Sequence, residues 1–241
     1  MERRKDGRKF DELRPVSIAP GYVEFAEGSV LISVGRTSVL CNATIEEGLP
    51  RWMQQEGMAG GWITAEYAML PRSTHRRTPR ETSGLGGRTQ EIRRVIGRSL
   101  RASIDLTRLE SLTCTVDCDV IQADGGTRTA AITGGYVALA IALRKLVRQG
   151  RLSEVIFLSP VAAVSVGMVG GMPLLDLNYE EDRQAQVDIN VVMNAAGEFV
   201  EVQGTAENAP FNRGELDELL VLAQKGIGEL FRVQQSVLNA L

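Results

Sequence analysis

The chain has 241 residues, 44% hydrophobic and 24% charged but only 5% aromatic, which supplies a real core and excludes a disordered or low-complexity chain. A single histidine, His75, excludes any site needing two imidazoles, and Cys41, Cys114 and Cys118 lack the paired spacing of a zinc site. The net charge of −3 is uneven, because residues 72–101 carry nine arginines against two glutamates, a block of +7 that suits bidentate phosphate recognition or, equally, a solvated helix face and loop.

No basic-then-apolar leader is visible, no apolar run approaches the roughly 18 residues of a membrane span, and three cysteines make a poor disulfide framework. The expectation is a reduced, cytoplasmic protein with no membrane segment.

Along the chain, β-branched or alternating stretches predict strands at Val30 to Val34, Ser38 to Ile45 and Ile63 to Leu70, read as a meander. From Thr89 to Ile104 the apolar Ile92, Val95, Ile96, Leu100 and Ile104 form a helical stripe that leaves Arg93, Arg94, Arg98 and Arg101 largely off the buried side. Leu112 to Val120 alternates strictly, so Cys114 and Cys118 face a core while Asp117 and Asp119 take exposed strand positions. Thr129 to Leu146 is apolar nearly all round, as a helix sandwiched between layers must be, and its Gly134 and Gly135 permit close packing. Strands are then expected near Ala162 to Val169, Pro173 to Leu177, Gln186 to Met193 and Glu198 to Gln203, before a last helix capped by Asn212. Strands followed by a helix, twice, predict an α+β layered fold with mixed sheets, in subdomains of roughly 1–150 and 151–241.

Three constellations could carry chemistry. The run Gln122-Ala-Asp124-Gly125-Gly126-Thr127-Arg128 ends a strand and opens a helix, where bare backbone N–H groups, the helix dipole and the Thr127 and Arg128 side chains can meet an oxyanion. The same residues also suit a plain tight turn with Thr127 as helix cap. Gly84-Leu-Gly86-Gly87-Arg88-Thr89 opens the earlier helix in the same way, so Arg88 and Arg128 could clamp one phosphate from two sides. Neither run matches the NTPase phosphate loop or the dinucleotide fingerprint.

Asp182 closes the acidic run Glu180-Glu181-Asp182, and Asp188 interrupts an apolar strand. Six extended residues span about 20 Å, whereas two ligands of one Mg²⁺ need oxygens within about 4 Å of each other. Sharing a metal therefore requires the chain to bend over Arg183 to Ala185, and otherwise the acidic run is a solvated surface. Finally, Arg72, Arg76, Arg77 and Arg80 lie between Pro71 and Pro79 or just beyond, a mobile basic loop suited to a nucleic-acid backbone or serving only solubility.

Taken together, Lys5-Asp-Gly-Arg8, Glu12-Leu-Arg-Pro15, Ile45-Glu-Glu-Gly48, Gly61-Trp-Ile-Thr-Ala-Glu-Tyr67, Met69-Leu-Pro-Arg-Ser-Thr-His75, Cys118-Asp-Val-Ile-Gln-Ala-Asp-Gly-Gly-Thr-Arg128 and Glu201-Val-Gln-Gly-Thr-Ala-Glu207 resemble the bacterial ribonuclease PH family over nearly the whole chain. The resemblance implies a ribosomal-protein-type βαβ core with a C-terminal α/β layer, assembled as a hexameric ring of three dimers. It also implies a phosphorolytic 3′-to-5′ exoribonuclease that trims tRNA precursors with inorganic phosphate, releases nucleoside diphosphates, and adds nucleotides in reverse. By the same resemblance, Arg88, Gly126, Thr127 and Arg128 bind phosphate, Asp182 and Asp188 form the catalytic, Mg²⁺-holding pair, and Arg72, Arg76, Arg77 and Arg80 contact RNA. Asp182 acting as general acid for the departing 3′ oxygen is the alternative role. Two other classes compete: an inactive RNA-binding ring subunit, which would lose the acids or the phosphate arginines, and a small-molecule phosphotransferase, which would need a nucleotide-cradling loop.

Overall fold

The computed structural model describes residues 4–207 and 210–241. Two sheets enclose one central helix. The first sheet has the order β1-β2-β3-β5-β4 and is built from β1 (Val16–Pro20), β2 (Gly28–Val34), β3 (Thr37–Glu47), β4 (Trp62–Met69) and β5 (Leu112–Gln122). Of the expected meander only β2 and β3 pair as neighbours in sequence, and β1, which was not expected, extends it on the other side. β5 comes between β3 and β4, antiparallel to the former and parallel to the latter, so β4, helix α2 (Gly87–Arg101) and β5 make a βαβ crossover. The short helix α1 (Arg51–Gln55) and β1 escape the sequence pattern, β1 because only Ile18 of its five residues is buried.

The alternation in β5 behaves as predicted: Leu112, Cys114, Val116, Cys118 and Val120 are all buried. On the opposite face Asp117 and Asp119 are half-buried, not exposed, and burial raises both carboxyls above their ordinary value. The cysteines are free thiols in the core.

Helix α3 (Thr127–Arg148) lies against β2, β3 and β5 on one side and against β6 (Val161–Val169) on the other. It is long and apolar enough, by length and composition, to span a bilayer, contrary to the reading of the sequence, but most of it is buried between the sheets. Close packing depends on Gly134, where a Cβ would lie 2.6 Å from Ile32 and 3.1 Å from Cys41 Sγ; at Gly135 a Cβ would find ordinary contacts.

The second sheet has the order β7-β6-β8-β9, adding β7 (Met172–Leu175), β8 (Val187–Asn194) and β9 (Phe199–Ala206). It is wholly antiparallel, not mixed as expected, since short turns join β6 to β7 and β8 to β9. Helix α5 (Arg213–Asn239) covers it, and Asn212 and Glu215 close a capping box at its start. A further helix missed in the sequence, α4 (Tyr179–Gln184), intervenes between β7 and β8.

Candidate active site

Because β4 and β5 run parallel, their carboxyl ends lie at one edge of the sheet, and α2 and α3 both start from that edge. This is where open α/β sheets bind ligands. Gly86 precedes α2 in an extended conformation and Gly126 precedes α3 in the left-handed region (φ 66°), and no side chain caps either helix. Both therefore present backbone N–H groups toward an anion.

The Gly-Gly pair before α3 is required by geometry. Gly125 has φ 77°, and a Cβ there would lie 2.5 Å from the Leu177 carbonyl; a Cβ on Gly126 would lie 3.0 Å from Arg14 Nη2. Thr37 Oγ1 donates to the Gly125 carbonyl at 2.7 Å and accepts from the Asp124 N–H at 2.9 Å. Thr127 is not a cap: its hydroxyl shares a 2.8 Å hydrogen bond with the Tyr67 hydroxyl. Burial raises the Tyr67 pKa, opposed by the Thr127 hydrogen bond and by the nearby positive charges of Arg88 and Arg128. Arg128 Nη1 donates to Gln203 Oε1 at 2.7 Å and pairs with Glu91 at 3.3 Å, while Gln203 Nε2 donates to Glu91 at 3.0 Å. Among the described residues Arg88 has no such brace, and it is exposed.

Across this space stand the acids. Asp182 lies in α4, and the chain leaves that helix through Ala185 in extended geometry before β8 begins, which supplies the bend that extended chain could not. Burial raises the Asp182 pKa against the pull of Arg88, Arg128 and Arg14, and Glu207 adds to the rise. Burial also raises Asp188, helped by the charges of Asp182 and Glu207 and opposed by Arg128. The structure thus gathers Arg88, Thr127, Arg128, Asp182 and Asp188 around one space, together with Glu207, Tyr67, Glu91 and Gln203, which reading of the sequence left without a role.

Among the described residues no group of three or more His, Cys, Asp or Glu side chains is arranged to hold a metal. Two carboxylates, an exposed Asp182 and a half-buried Asp188 whose proton affinity the Asp182 charge raises, do fit Mg²⁺, which takes one or two carboxylates and completes its shell with water and phosphate oxygens.

The N-terminal segment holds this arrangement together. Arg14, Arg8 and Arg4 are buried: Arg14 pairs with Asp176 at 2.6 Å, Arg8 with Asp176 at 3.4 Å, and Arg4 with Glu181 beside Asp182. The Glu181 side chain also completes a capping box with Asn178 at the start of α4.

The arginine loop is more ordered than its two prolines predict. Thr78 N–H donates to the Pro71 carbonyl at 2.8 Å, Thr74 Oγ1 to the Arg76 carbonyl at 2.5 Å, and Ala123 N–H to the Ser73 carbonyl at 2.8 Å. Prolines block helix and strand but not turns closed by Ser and Thr. Arg76 and Arg77 line a cleft of about 640 Å³ with Tyr179 and Arg183 of α4. Arg72 faces a separate groove beside Arg36 and Asp124, and Arg80 lies near Asp119.

Family models for both domains of the 3′ exoribonuclease family match, domain 1 over residues 12–145 and domain 2 over residues 159–226. The chain belongs to this family, ribonuclease PH and its 3′ exoribonuclease relatives. Ribonuclease PH of Bdellovibrio bacteriovorus is 53% identical over 238 residues, covering 99% of this chain and 97% of the relative. Ribonuclease PH of Dehalococcoides mccartyi is 53% identical over 236 residues, with 97% of each chain covered. Among solved structures, rice (Oryza sativa) Rrp46 superposes with a TM-score of 0.79 at 19% identity over 98% of this chain and 100% of that one. The Archaeoglobus fulgidus exosome with RNA bound to the active site gives 0.79 at 24% identity over 96% and 92%. At these identities the two structures establish a shared fold.

Proposed function

We infer that this protein is a phosphorolytic 3′-to-5′ exoribonuclease that trims the 3′ ends of tRNA precursors. The observation that carries the reading is the convergence of two uncapped, arginine-bearing helix starts on the acid pair Asp182 and Asp188, in a chain of the 3′ exoribonuclease family. Inorganic phosphate, held by Arg88, Arg128, the Thr127 hydroxyl and the N–H groups after Gly126, attacks the terminal phosphodiester in line. The products are a nucleoside diphosphate and an RNA shorter by one residue. A phosphodiester is exchanged for a phosphoanhydride, so the reaction is near balance and runs backwards with nucleoside diphosphates.

The chain's own residues contribute position and charge more than covalent chemistry. Tyr67, kept protonated by burial, orients the Thr127 hydroxyl, and Glu91 with Gln203 fixes the Arg128 guanidinium. Asp182 and Asp188 would hold Mg²⁺, which when bound neutralises charge at the departing 3′ oxygen. In the alternative role, Asp182, whose proton affinity is raised, protonates that oxygen instead of ligating the metal. Arg72, Arg76, Arg77 and Arg80 guide the RNA backbone to the site. The reading extends to a ring-shaped assembly, specifically a homohexamer of three dimers, working in the cytoplasm. An inactive ring subunit is disfavoured because acids and phosphate arginines are all present.

The test incubates the protein with a 3′-extended tRNA, Mg²⁺ and labelled phosphate. Labelled nucleoside diphosphates are expected, and omitting phosphate should nearly stop trimming. Nucleoside monophosphates formed at an unchanged rate without phosphate would exclude phosphorolysis.

A further inference from the structure

Arg14 is buried and has no place in the catalytic scheme, yet it touches both halves of the site. Its Nε and Nη2 donate to the two carboxylate oxygens of Asp176 at 2.9 and 2.6 Å, and its backbone N–H donates to Asp176 Oδ2 at 2.8 Å. The other edge of the same guanidinium reaches the turn before α3: Nη1 donates to the Asp124 carbonyl at 2.5 Å, and Nη2 lies 3.4 Å from the Gly125 carbonyl. Asp176 is a non-glycine residue in the left-handed region (φ 54°), a conformation that persists only when its surroundings enforce it. From Asp176 the chain passes through Leu177 and Asn178 directly into α4 and Asp182.

One planar, five-donor group therefore joins the turn that presents Gly126, Thr127 and Arg128 to the segment that presents Asp182. No other residue type could make a two-toothed grip on a carboxylate and reach two carbonyls behind it. The close approach of Gly126 to Arg14 belongs to the same joint. We propose that Arg14 is a positioning residue that sets the separation between the phosphate-binding helix start and the acid pair.

This inference rests on the phosphorolytic reading, and the two fail separately. Arg14→Lys keeps the charge that compensates Asp176 but cannot grip it and reach the turn together. In the folded variant, checked by circular dichroism and thermal unfolding, kcat should fall about 10- to 100-fold, the loss expected from displacing reacting groups by about 1 Å. The KM for phosphate should rise severalfold, while the Kd for tRNA stays within about twofold of wild type. Arg8→Lys is the comparator, because Arg8 meets only the acid-bearing side, at Asp176 (3.4 Å) and Glu181 (3.4 Å), and among the described residues makes no hydrogen bond to the turn. Its kcat should stay within about threefold.

If Arg14→Lys does not fold, Thr37→Val takes its place, since it removes the hydroxyl holding the same turn at the Gly125 carbonyl without disturbing an ion pair. That variant should raise the KM for phosphate severalfold with tRNA affinity unchanged. Wild-type kinetics in folded Arg14→Lys or in folded Thr37→Val, or an equal loss in Arg8→Lys, would overturn the proposal while phosphate-dependent release of nucleoside diphosphates by the wild type left the broader reading standing.

Discussion

The two helix starts of the site carry nearly the same sequence, Gly-Gly-Arg before α2 and Gly-Gly-Thr-Arg before α3, and they are built on opposite principles. At α3 both glycines have positive φ and are pressed against the Leu177 carbonyl and the Arg14 guanidinium, and Arg128 is held by Glu91 and Gln203. At α2, a Cβ on Gly87 would meet nothing within 4 Å and one on Gly86 only the end of the flexible Glu81 side chain (2.9 Å), and Arg88 is exposed at the end of the arginine loop. The same residues thus make a rigid cradle in one place and an open arm in the other. What separates them is the chain packed behind the glycines.

The sharpest way to break this comparison is to add one methyl group to each start. Gly125→Ala should cost about 3 kcal/mol or more, from the positive φ and the 2.5 Å approach of Leu177 O, and should abolish phosphorolysis. Gly87→Ala should be neutral or stabilising by up to about 1 kcal/mol. Thermal unfolding of both variants decides the matter, and equal losses would show that the two starts are built alike.

Next in size is the arginine pair. Arg128→Ala should lower kcat/KM for phosphate about 10- to 150-fold, the loss of a charge-assisted hydrogen bond, with little change in tRNA affinity. Arg88→Ala should cost less, because an unbraced, exposed arginine loses more side-chain entropy on binding. Steady-state kinetics at varied phosphate would sharpen the contrast, and a larger loss at Arg88 would reverse it.

The loop leading to the open start should matter to RNA instead. With net charge −3, attraction must come from the local arginine block. Replacing Arg76, Arg77 and Arg80 by alanine should weaken tRNA binding and flatten its salt dependence by about 0.7 to 0.9 log units per lost phosphate contact. Short oligonucleotides should suffer less than tRNA, and an unchanged salt slope would place the RNA path elsewhere.

The smallest effect concerns the acids opposite the two starts. The pKa of Asp188 is raised in the folded protein by burial and by Asp182 and Glu207, so the folded state binds this proton more tightly than the unfolded state. Its favourable contribution is complete below the ordinary aspartate value and is lost as pH rises through the raised value. Asp188→Asn should therefore raise the Tm at pH 7 by about 2 °C, and the gain should vanish as pH falls below about 4. A gain that persists at low pH would point to packing instead of charge.

Local pattern predicted the local structure. The stripe of α2, the alternation of β5 and the Asn212 cap of α5 are all where residue spacing put them, because each depends on neighbours in sequence. The place of β4 was not legible, since its pairing with β5 crosses more than 40 residues and periodicity carries no partner. The α4 helix was hidden because six residues with three acids read as solvated surface, and with it went the bend that brings Asp182 toward Asp188. The glycine-rich helix starts and the acids could be found by chemistry. Tyr67, Glu91, Gln203 and Arg14 could not, because each acts through a partner from 37 to 162 residues away.

The long reach of the N-terminal arginines also imposes an order in time. Arg4 and Arg8 emerge from the ribosome 168 to 177 residues ahead of their partners Asp176 and Glu181. At about 5 to 20 residues per second, these arginines wait roughly 8 to 35 s for their carboxylates. During that interval the first sheet and α3 can pack, while α4 and the acid pair do not yet exist. A nuclease that digests RNA from its 3′ end is therefore assembled with its cutting edge unfinished until these late carboxylates have been made.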